Sequence, residues 1–258
     1  MRRFCSQVWL HAKVNQANID WLEFIFFRVG VVMLTLVFYV LIASFTTGEG
    51  DLTRWVVGNA FVLCTYECIH LIGVSFNTER FNGRLRSIIV APTSKLVVLM
   101  YTGAWAVFSS IITISVAFFI GGLIFGVGFA GFNFAAFFIS ILITAFACVG
   151  LGLFVGIFAL ITDAMYLVLN AIVMIIMIFS GANFPVSQLP RAAQPIAWVM
   201  PIRRGVEAAN LFFDAPINST YWQLVGAEAL LGLVFLLLAF ALIRIVEAVA
   251  IKKATLEI

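Results

Sequence analysis

Six stretches of the chain stay apolar for about 20 residues or more. A helix of about 20 apolar residues crosses the hydrocarbon core of a bilayer, which is about 30 Å thick. Each stretch therefore predicts a transmembrane helix, and residues 1–258 are expected to form one all-α integral membrane domain. The predicted spans are 24–45, 54–76, 96–125, 132–160, 164–183 and 222–247.

The composition favours a membrane protein over a soluble one. Hydrophobic residues make up 64% of the sequence and charged residues 10%, so there are too few charges to cover a water-exposed surface. The net charge is only +3, and the basic residues sit at predicted helix ends, so nucleic-acid binding is not expected. The expected surroundings are membrane lipids.

The distribution of lysine and arginine predicts the orientation of the spans. Basic residues concentrate in cytoplasmic connections of membrane proteins. One arrangement gives a clear bias, and it describes a multi-pass protein of the bacterial cytoplasmic (inner) membrane with both termini in the cytoplasm. Its inner segments hold Arg2, Arg3, Lys13, Arg80, Arg84, Arg86, Lys95, Arg244, Lys252 and Lys253. Its outer segments hold Arg54, Arg191, Arg203 and Arg204.

Two segments outside the spans have a distinctive composition. Residues 1–22 are polar with scattered apolar and indole side chains, which indicates a helix lying in the membrane surface or, alternatively, an irregular tail. Residues 184–220 contain several prolines around an apolar run, so we expect short helices that re-enter the outer leaflet. The residues that carry this pattern are Phe184, Pro185, Pro190, Pro195, Trp198 and Pro201.

Three ionisable residues fall inside predicted spans, where each costs about 2.5–3.5 kcal/mol on insertion scales. Arg28 and Glu67 both fall in the inner half, where they can pair or line a transport path, and Arg28 can instead reach the headgroups. For Glu228, near the outer end of the last span, we expect a charge pair that pins the outer connection, with a proton relay as the alternative. Its candidate partners are Arg203, Arg204 and Glu207.

No metal site or catalytic centre is expected in this sequence. Cys64 and Cys68 share a helix face, but the neighbouring Glu67 and His70 point partly away from it, and cysteines of apolar helices usually behave as small hydrophobes. We also predict no structural disulfide. The sequence lacks a phosphate-binding G-x-x-x-x-G-K-[ST] motif. The chain is therefore predicted to be no enzyme and to bind no cofactor, and ATP-driven transport would need a separate nucleotide-binding polypeptide.

The segment after the second span carries a motif. It comprises Glu79-Arg80, Gly83, Leu85, Pro92 and Ser94-Lys95. This pattern resembles the permeases of type-2 ABC exporters, in their drug-efflux and nodulation-factor branches. Two positions depart from the usual pattern, because Arg84 stands in place of threonine and Arg86 in place of glutamate.

A second segment, after the fifth span, resembles the same family. It begins at Phe179-Ser180-Gly181, passes through four X-Pro pairs and ends at Gly205-Val206-Glu207. It is similar to the outer re-entrant segment of these permeases. Together with six spans and an N-terminal interfacial helix, the resemblance covers nearly the whole chain.

The resemblance implies a permease domain in a dimer of permeases, which stands on a dimer of P-loop ATPase subunits that bind ATP and Mg²⁺. It also implies that the cytoplasmic loop 77–95 contains a coupling helix docked into a groove of the ATPase. Apolar side chains would anchor this helix and its arginines would be charged contacts, the alternative being that the arginines only fix the topology. The implied coupling residues are Glu79, Arg80, Phe81, Gly83, Arg84, Leu85 and Arg86.

The implied function is that of the membrane-spanning subunit of an ATP-driven exporter. Its cargo would be an amphipathic, lipophilic or lipid-linked compound that leaves the cytoplasm or the inner leaflet. A polysaccharide exporter of the capsule or O-antigen type is the alternative within the family. An ion-coupled secondary transporter is a further alternative, although it would need a cluster of polar groups at the membrane midplane.

Overall fold

The computed structural model describes Phe26 and residues 30–47, 52–81, 95–126, 133–158, 164–214 and 218–256. Within these ranges all regular secondary structure is helical, including a one-turn 3-10 helix at Val186–Gln188. The α-helices are α1 (Val31–Thr47), α2 (Thr53–Phe81), α3 (Lys95–Phe125), α4 (Phe134–Phe158), α5 (Met165–Phe179), α6 (Gln194–Val199), α7 (Arg203–Asp214) and α8 (Ser219–Leu256). The predicted interfacial helix at 1–22 lies outside the described residues.

Four of these helices are long and apolar enough to cross a membrane. Their apolar parts are Thr53–Thr78, Met100–Phe125, Phe134–Ile157 and Ser219–Ile245, with mean hydropathies from 1.4 to 2.5. Two shorter apolar helices, Val31–Phe45 and Met165–Phe179, lie within the first and fifth predicted spans. The chain is therefore a multi-pass membrane protein that is helical over its described residues, and the crossing of all six helices stays a prediction.

Helix α5 ends earlier than the predicted fifth span, which extended to residue 183. Gly181 has φ +77°, a left-handed conformation that ends helices and that glycine adopts without steric cost. Beside it, the Ser180 hydroxyl accepts a hydrogen bond of 3.1 Å from the Ala182 N–H. With 15 residues, α5 is about 22 Å long, which is shorter than the hydrocarbon core.

Helix α2 forms the centre of the bundle. In an apolar window of 18 residues within α2, 78% of the residues are buried, against 28% in the corresponding window of α8. Phe61 of α2 meets Phe137 of α4 edge-on at 6.0 Å between ring centroids, and Phe118 of α3 lies 4.5 Å from the same ring. Three helices thus share one aromatic cluster, with α1, α5 and α7 packed around α2.

Glycines allow α4 to approach α2 closely. A β-carbon at Gly152 would lie 3.0 Å from Ile72 Cδ1, and one at Gly156 would lie 2.7 Å from the Phe76 ring. This G-x-x-x-G pair therefore packs against a helix of the same chain. Small residues are the usual means of close packing where lipid supplies no hydrophobic drive.

The opposite side of α4 crosses α8 at another pair of glycines. A β-carbon at Gly150 would lie 2.7 Å from the Gly232 carbonyl oxygen, and one at Gly232 would lie 2.8 Å from Ala147 Cα. Both obstacles are backbone atoms, which cannot rotate away. Helix α4 thus lies between α2 and α8 and packs closely against both.

The connection between α5 and α8, here called the outer connection, consists of the 3-10 helix, α6 and α7. Pro185 precedes the 3-10 helix, Pro195 lies in the first turn of α6, and Pro201 precedes α7. Proline is tolerated at these positions because the first N–H groups of a helix lack helical acceptors in any case. Short helices are therefore present where the sequence predicts them, and their depth in the lipid stays a prediction.

Candidate functional site

Glu228 of α8 joins the outer connection to the bundle. The side chain is 1% exposed, and its Oε1 accepts a hydrogen bond of 2.5 Å from the Ile202 N–H. Its Oε2 lies 3.8 Å from Arg204 Nη1, an ion-pair distance that is too long for a hydrogen bond. Ile202, Arg204 and Glu228 are called the Glu228 cluster below.

Ile202 has an unusual backbone conformation in this cluster. Its φ is +88°, a region that β-branched residues rarely occupy and that is costly for them. The residue is fully buried, and its carbonyl accepts the first helical hydrogen bond of α7, from Val206 N–H at 2.8 Å. The Glu228 carboxylate therefore lies at the positive end of the α7 dipole, an arrangement that favours a negative charge.

Trp198 of α6 contacts both arginines at the start of α7. The Arg203 guanidinium carbon lies 4.0 Å from the centroid of the indole, and that of Arg204 lies 5.8 Å from it. Arg204 Nη2 also donates a hydrogen bond of 2.6 Å to the Trp198 carbonyl. Burial lowers the pKa of Arg203, partly offset by the nearby Glu207. These contacts fix α6 to α7 by cation–π attraction and a hydrogen bond.

Gly205 lets α7 lie directly on α4. A β-carbon at this position would overlap the Thr144 hydroxyl oxygen of α4. Thr144 Oγ1 is buried and has no hydrogen-bond partner among the described residues. The glycine of the predicted Gly205-Val206-Glu207 motif thus has a packing reason, since any other residue would push the two helices apart.

Glu67 lies on α2, away from the Glu228 cluster. It accepts a hydrogen bond of 3.0 Å from the Ser109 hydroxyl of α3. Tyr66 directly precedes Glu67, and its ring stacks on that of His70, one turn later, with centroids 4.1 Å apart. Arg28 lies outside the described residues, so its predicted pairing with Glu67 stays a prediction.

Three buried cysteines, Cys64, Cys68 and Cys148, lie where α2 packs against α3 and α4, as free thiols. Cys148 Sγ lies 3.2 Å from the Thr65 hydroxyl, and Cys68 Sγ lies 3.9 Å from the Ala106 carbonyl oxygen. No group of three or more His, Cys, Asp or Glu side chains in the described ranges has the arrangement of a metal site. The thiols are thus part of the helix packing.

The predicted coupling residues lie at and beyond the end of α2. Residues 79–81 belong to its last turn, so α2 extends past the predicted end of the second span at residue 76. This extension contains neither glycine nor proline, which explains why the helix continues. The side chains of Glu79, Arg80 and Phe81 lie outside the described part of the chain, as do all atoms of the remaining predicted coupling residues. These are Gly83, Arg84, Leu85 and Arg86.

The predicted re-entrant residues occupy different parts of the outer connection. Trp198 is the residue that binds α7, as described above. Pro201 is buried before α7, whereas Pro185 and Pro190 are exposed. Phe184 lies in the segment that follows α5 and is partly buried. Sequence reasoning missed Ile202 and Ser109, whose roles depend on contacts between distant helices that no local pattern encodes.

The described geometry is that of a membrane bundle whose outer connection is fixed by buried polar contacts. A scan against family models matches residues 5–213 of the 258 to the ABC-2 type transporter family, and comparison with curated proteins gives no match. The matched range includes the predicted coupling loop and nearly all of α7. It confirms the resemblance to type-2 ABC permeases, while the drug-efflux branch stays a prediction. The chain therefore belongs to the ABC-2 type transporter family, as a membrane permease subunit of an ABC transporter.

Proposed function

We propose that this permease is the membrane-spanning subunit of an ATP-driven exporter for an amphipathic, lipophilic or lipid-linked compound. The observation that carries the proposal is the family match over residues 5–213 in a chain with at least four membrane-length apolar helices. The family generally works with an ATP-binding subunit, so we assign ATP and Mg²⁺ to a separate P-loop ATPase. A second permease copy would complete the assembly.

The surface of the bundle supports an amphipathic cargo. Large apolar side chains are widely exposed, among them Leu34 and Leu167 at 71% each. Against this background, α2 carries the half-exposed Tyr66 together with Glu67 and His70. Polar side chains at membrane depth are expensive and usually face a cavity or the bundle interior. A compound with an apolar body and a polar group matches such a surface.

The ATP-driven mechanism also distinguishes this proposal from ion-coupled transport. An ion-coupled transporter would use broken helices and a cluster of ionisable groups at the midplane. In the described part of α2, the carboxylate of Glu67 instead bonds to Ser109. The family assignment favours an energy source in a partner subunit, and residues 79–86 are our proposed contact with that subunit.

The test is a charge reversal in the proposed coupling segment. The variant Arg84→Glu with Arg86→Glu is reconstituted in vesicles with the ATPase that copurifies with the chain. We expect it to insert normally but to lose stimulated ATP hydrolysis and ATP-dependent movement of a fluorescent amphiphile, because like charges would then face the partner groove. Arg191→Glu, at an exposed position of the outer connection, is the matched control and should retain both activities.

Two results would count against the proposal. Unchanged hydrolysis and transport in the double variant would remove the coupling assignment. Transport by the wild-type chain alone, driven by an ion gradient without an ATPase, would remove the ATP-driven function itself. The direction of transport follows from whether inside-out vesicles accumulate the amphiphile, as an exporter requires.

A further inference from the structure

A cavity of about 550 Å³ lies between the Thr53 end of α2, residues 180–187 and α7. This volume is within the range of about 300–1,000 Å³ that is typical of small-molecule sites. Its walls do not include Ile202, Arg204 or Glu228, so it is separate from the Glu228 cluster. The cavity has no role in the function proposed above.

The walls of the cavity combine charge with aromatic surface. Arg203, Glu207 and Asn210 contribute from α7, at spacings of four and seven residues that place them along one face of the helix. Arg54 and Trp55 contribute from the first turn of α2. Among the wall residues that the structure describes, two guanidinium groups stand against one carboxylate, which gives a net positive charge.

Two polar atoms at the cavity are buried and lack hydrogen-bond partners among the described residues: Arg203 Nη1 and Asn210 Oδ1. Buried polar groups in proteins are nearly always bonded, so each such atom needs an explanation. The guanidinium of Arg203 is held in place by its contact with the Trp198 ring. The Arg203 and Asn210 residues belong to the walls of one cavity, although these two atoms themselves are closed to water, and a guanidinium beside an amide suits a ligand with an acidic group and further polar groups.

The position of the cavity indicates that its ligand is an amphiphile. The apolar part of α2 begins at Thr53, beside Arg54 and Trp55, and α5 ends at Phe179, beside Ser180. The cavity thus lies where two apolar helices end, and arginine and tryptophan are typical of the headgroup level of membranes. A molecule with an apolar chain would reach this level with its headgroup at the arginines.

We propose that this cavity binds the phosphate headgroup of an amphiphile, with the phosphate oxygens on Arg203. Guanidinium groups bind phosphate with two parallel N–H donors, and the positive walls favour its higher charge over that of a carboxylate. Asn210 contacts the remaining polar groups of the headgroup. The site goes beyond the proposed function, because it concerns binding and requires neither ATP nor a direction of transport.

The test uses dodecyl phosphate as the probe and the full chain purified in dodecyl maltoside, a neutral detergent with the same alkyl chain. Native mass spectrometry counts bound dodecyl phosphate over a concentration series. We expect one saturable adduct per chain, and Arg203→Gln should weaken it about tenfold or more because a charge-assisted bond is lost. The control Arg191→Gln changes an exposed arginine outside the cavity and should bind within about twofold of wild type.

A second variant keeps the test valid if Arg203→Gln fails to fold, which gel filtration would reveal. Ser187→Trp places a bulky side chain at an exposed wall of the cavity without removing a charge, and it should also weaken binding. Equal binding by wild type and both variants would overturn the site. If inorganic phosphate binds as tightly as dodecyl phosphate, the proposal that the ligand is an amphiphile is wrong, and the cavity is a simple anion site. If the chain binds dodecyl phosphate but shows no ATP-driven transport in the vesicle test above, the binding supports this site. The missing transport then counts only against the proposed function.

Discussion

Glu228 of α8 contributes a buried carboxylate that binds the outer connection. It satisfies the N–H of Ile202, a residue whose backbone is in a costly conformation, and it lies beside Arg204. A buried charge pair contributes little net stability when intact, but removing one partner leaves the other buried without compensation. The loss of stability caused by a substitution at Glu228 therefore depends on which polar groups it leaves without a partner.

At the residue scale, we expect Glu228→Ala to destabilise the protein strongly, by about 3–5 kcal/mol, because it leaves the Arg204 charge and the Ile202 N–H without their carboxylate. Glu228→Gln keeps an acceptor for the N–H and should cost less. The measurement is the apparent unfolding midpoint of the purified protein in detergent. Arg191→Ala, at an exposed side chain of the same outer connection, is the control and should lie within about 0.5 kcal/mol of wild type. Equal midpoints for the alanine variant and wild type would contradict the role given to Glu228.

Residue-scale features differ in how far the sequence could predict them. The sequence suggested charged residues of the outer connection as partners of Glu228, because a carboxylate in an apolar helix requires a partner. Arg204 is the one that lies beside it. The bond from Ile202 was not predictable, since isoleucine disfavours a positive φ and only the tertiary packing imposes it.

Among the elements, the crossing of α4 and α8 depends on two glycines that face backbone atoms. Gly232 and Gly150 leave no room for a methyl group. Gly226, six residues earlier on α8, is exposed, and a β-carbon there would have nothing within 4 Å. The same helix thus offers a constrained glycine and an unconstrained one.

At the element scale, we expect Gly232→Ala to destabilise the protein by about 1–3 kcal/mol, because overpacking forces the two backbones apart. Gly226→Ala should be neutral or stabilising by up to about 1 kcal/mol, since alanine has the higher helix propensity. Thermal unfolding of both variants in the same detergent compares them directly. Similar midpoints for the two would show that the crossing tolerates separation.

The elements were also predictable to different degrees. The long apolar stretches of the sequence predicted the positions of α2, α3, α4 and α8, because length and hydropathy suffice to identify a membrane-length helix. The end of α5 was predicted too late, since apolar composition continues while Gly181 turns the backbone. Proline positions indicated the short helices of the outer connection, but the contacts of Trp198 with α7 required the fold.

For the whole molecule, the orientation in the membrane can be tested with cysteine labelling. Cys64, Cys68 and Cys148 are buried and should not react in the folded protein, and Cys5, outside the described residues, is replaced by serine. In this background, Ser187→Cys should react with an impermeant maleimide added to intact cells. Thr78→Cys, also exposed, should react only after the cells are permeabilised. The reverse pattern would invert the topology that the lysine and arginine distribution predicts.

The close contact of α2 with α4 lies nearer to one end of α2 than to the other. With 29 residues, α2 is about 43 Å long, and its contact with Gly152 and Gly156 is centred near Ile72. That point is about half as far from the Phe81 end as from the Thr53 end, so a tilt about it moves the Thr53 end about twice as far. A rigid tilt of α2 about this point would therefore displace Arg54 and Trp55 about twice as far as the Phe81 end, and it would widen or narrow the cavity that they line.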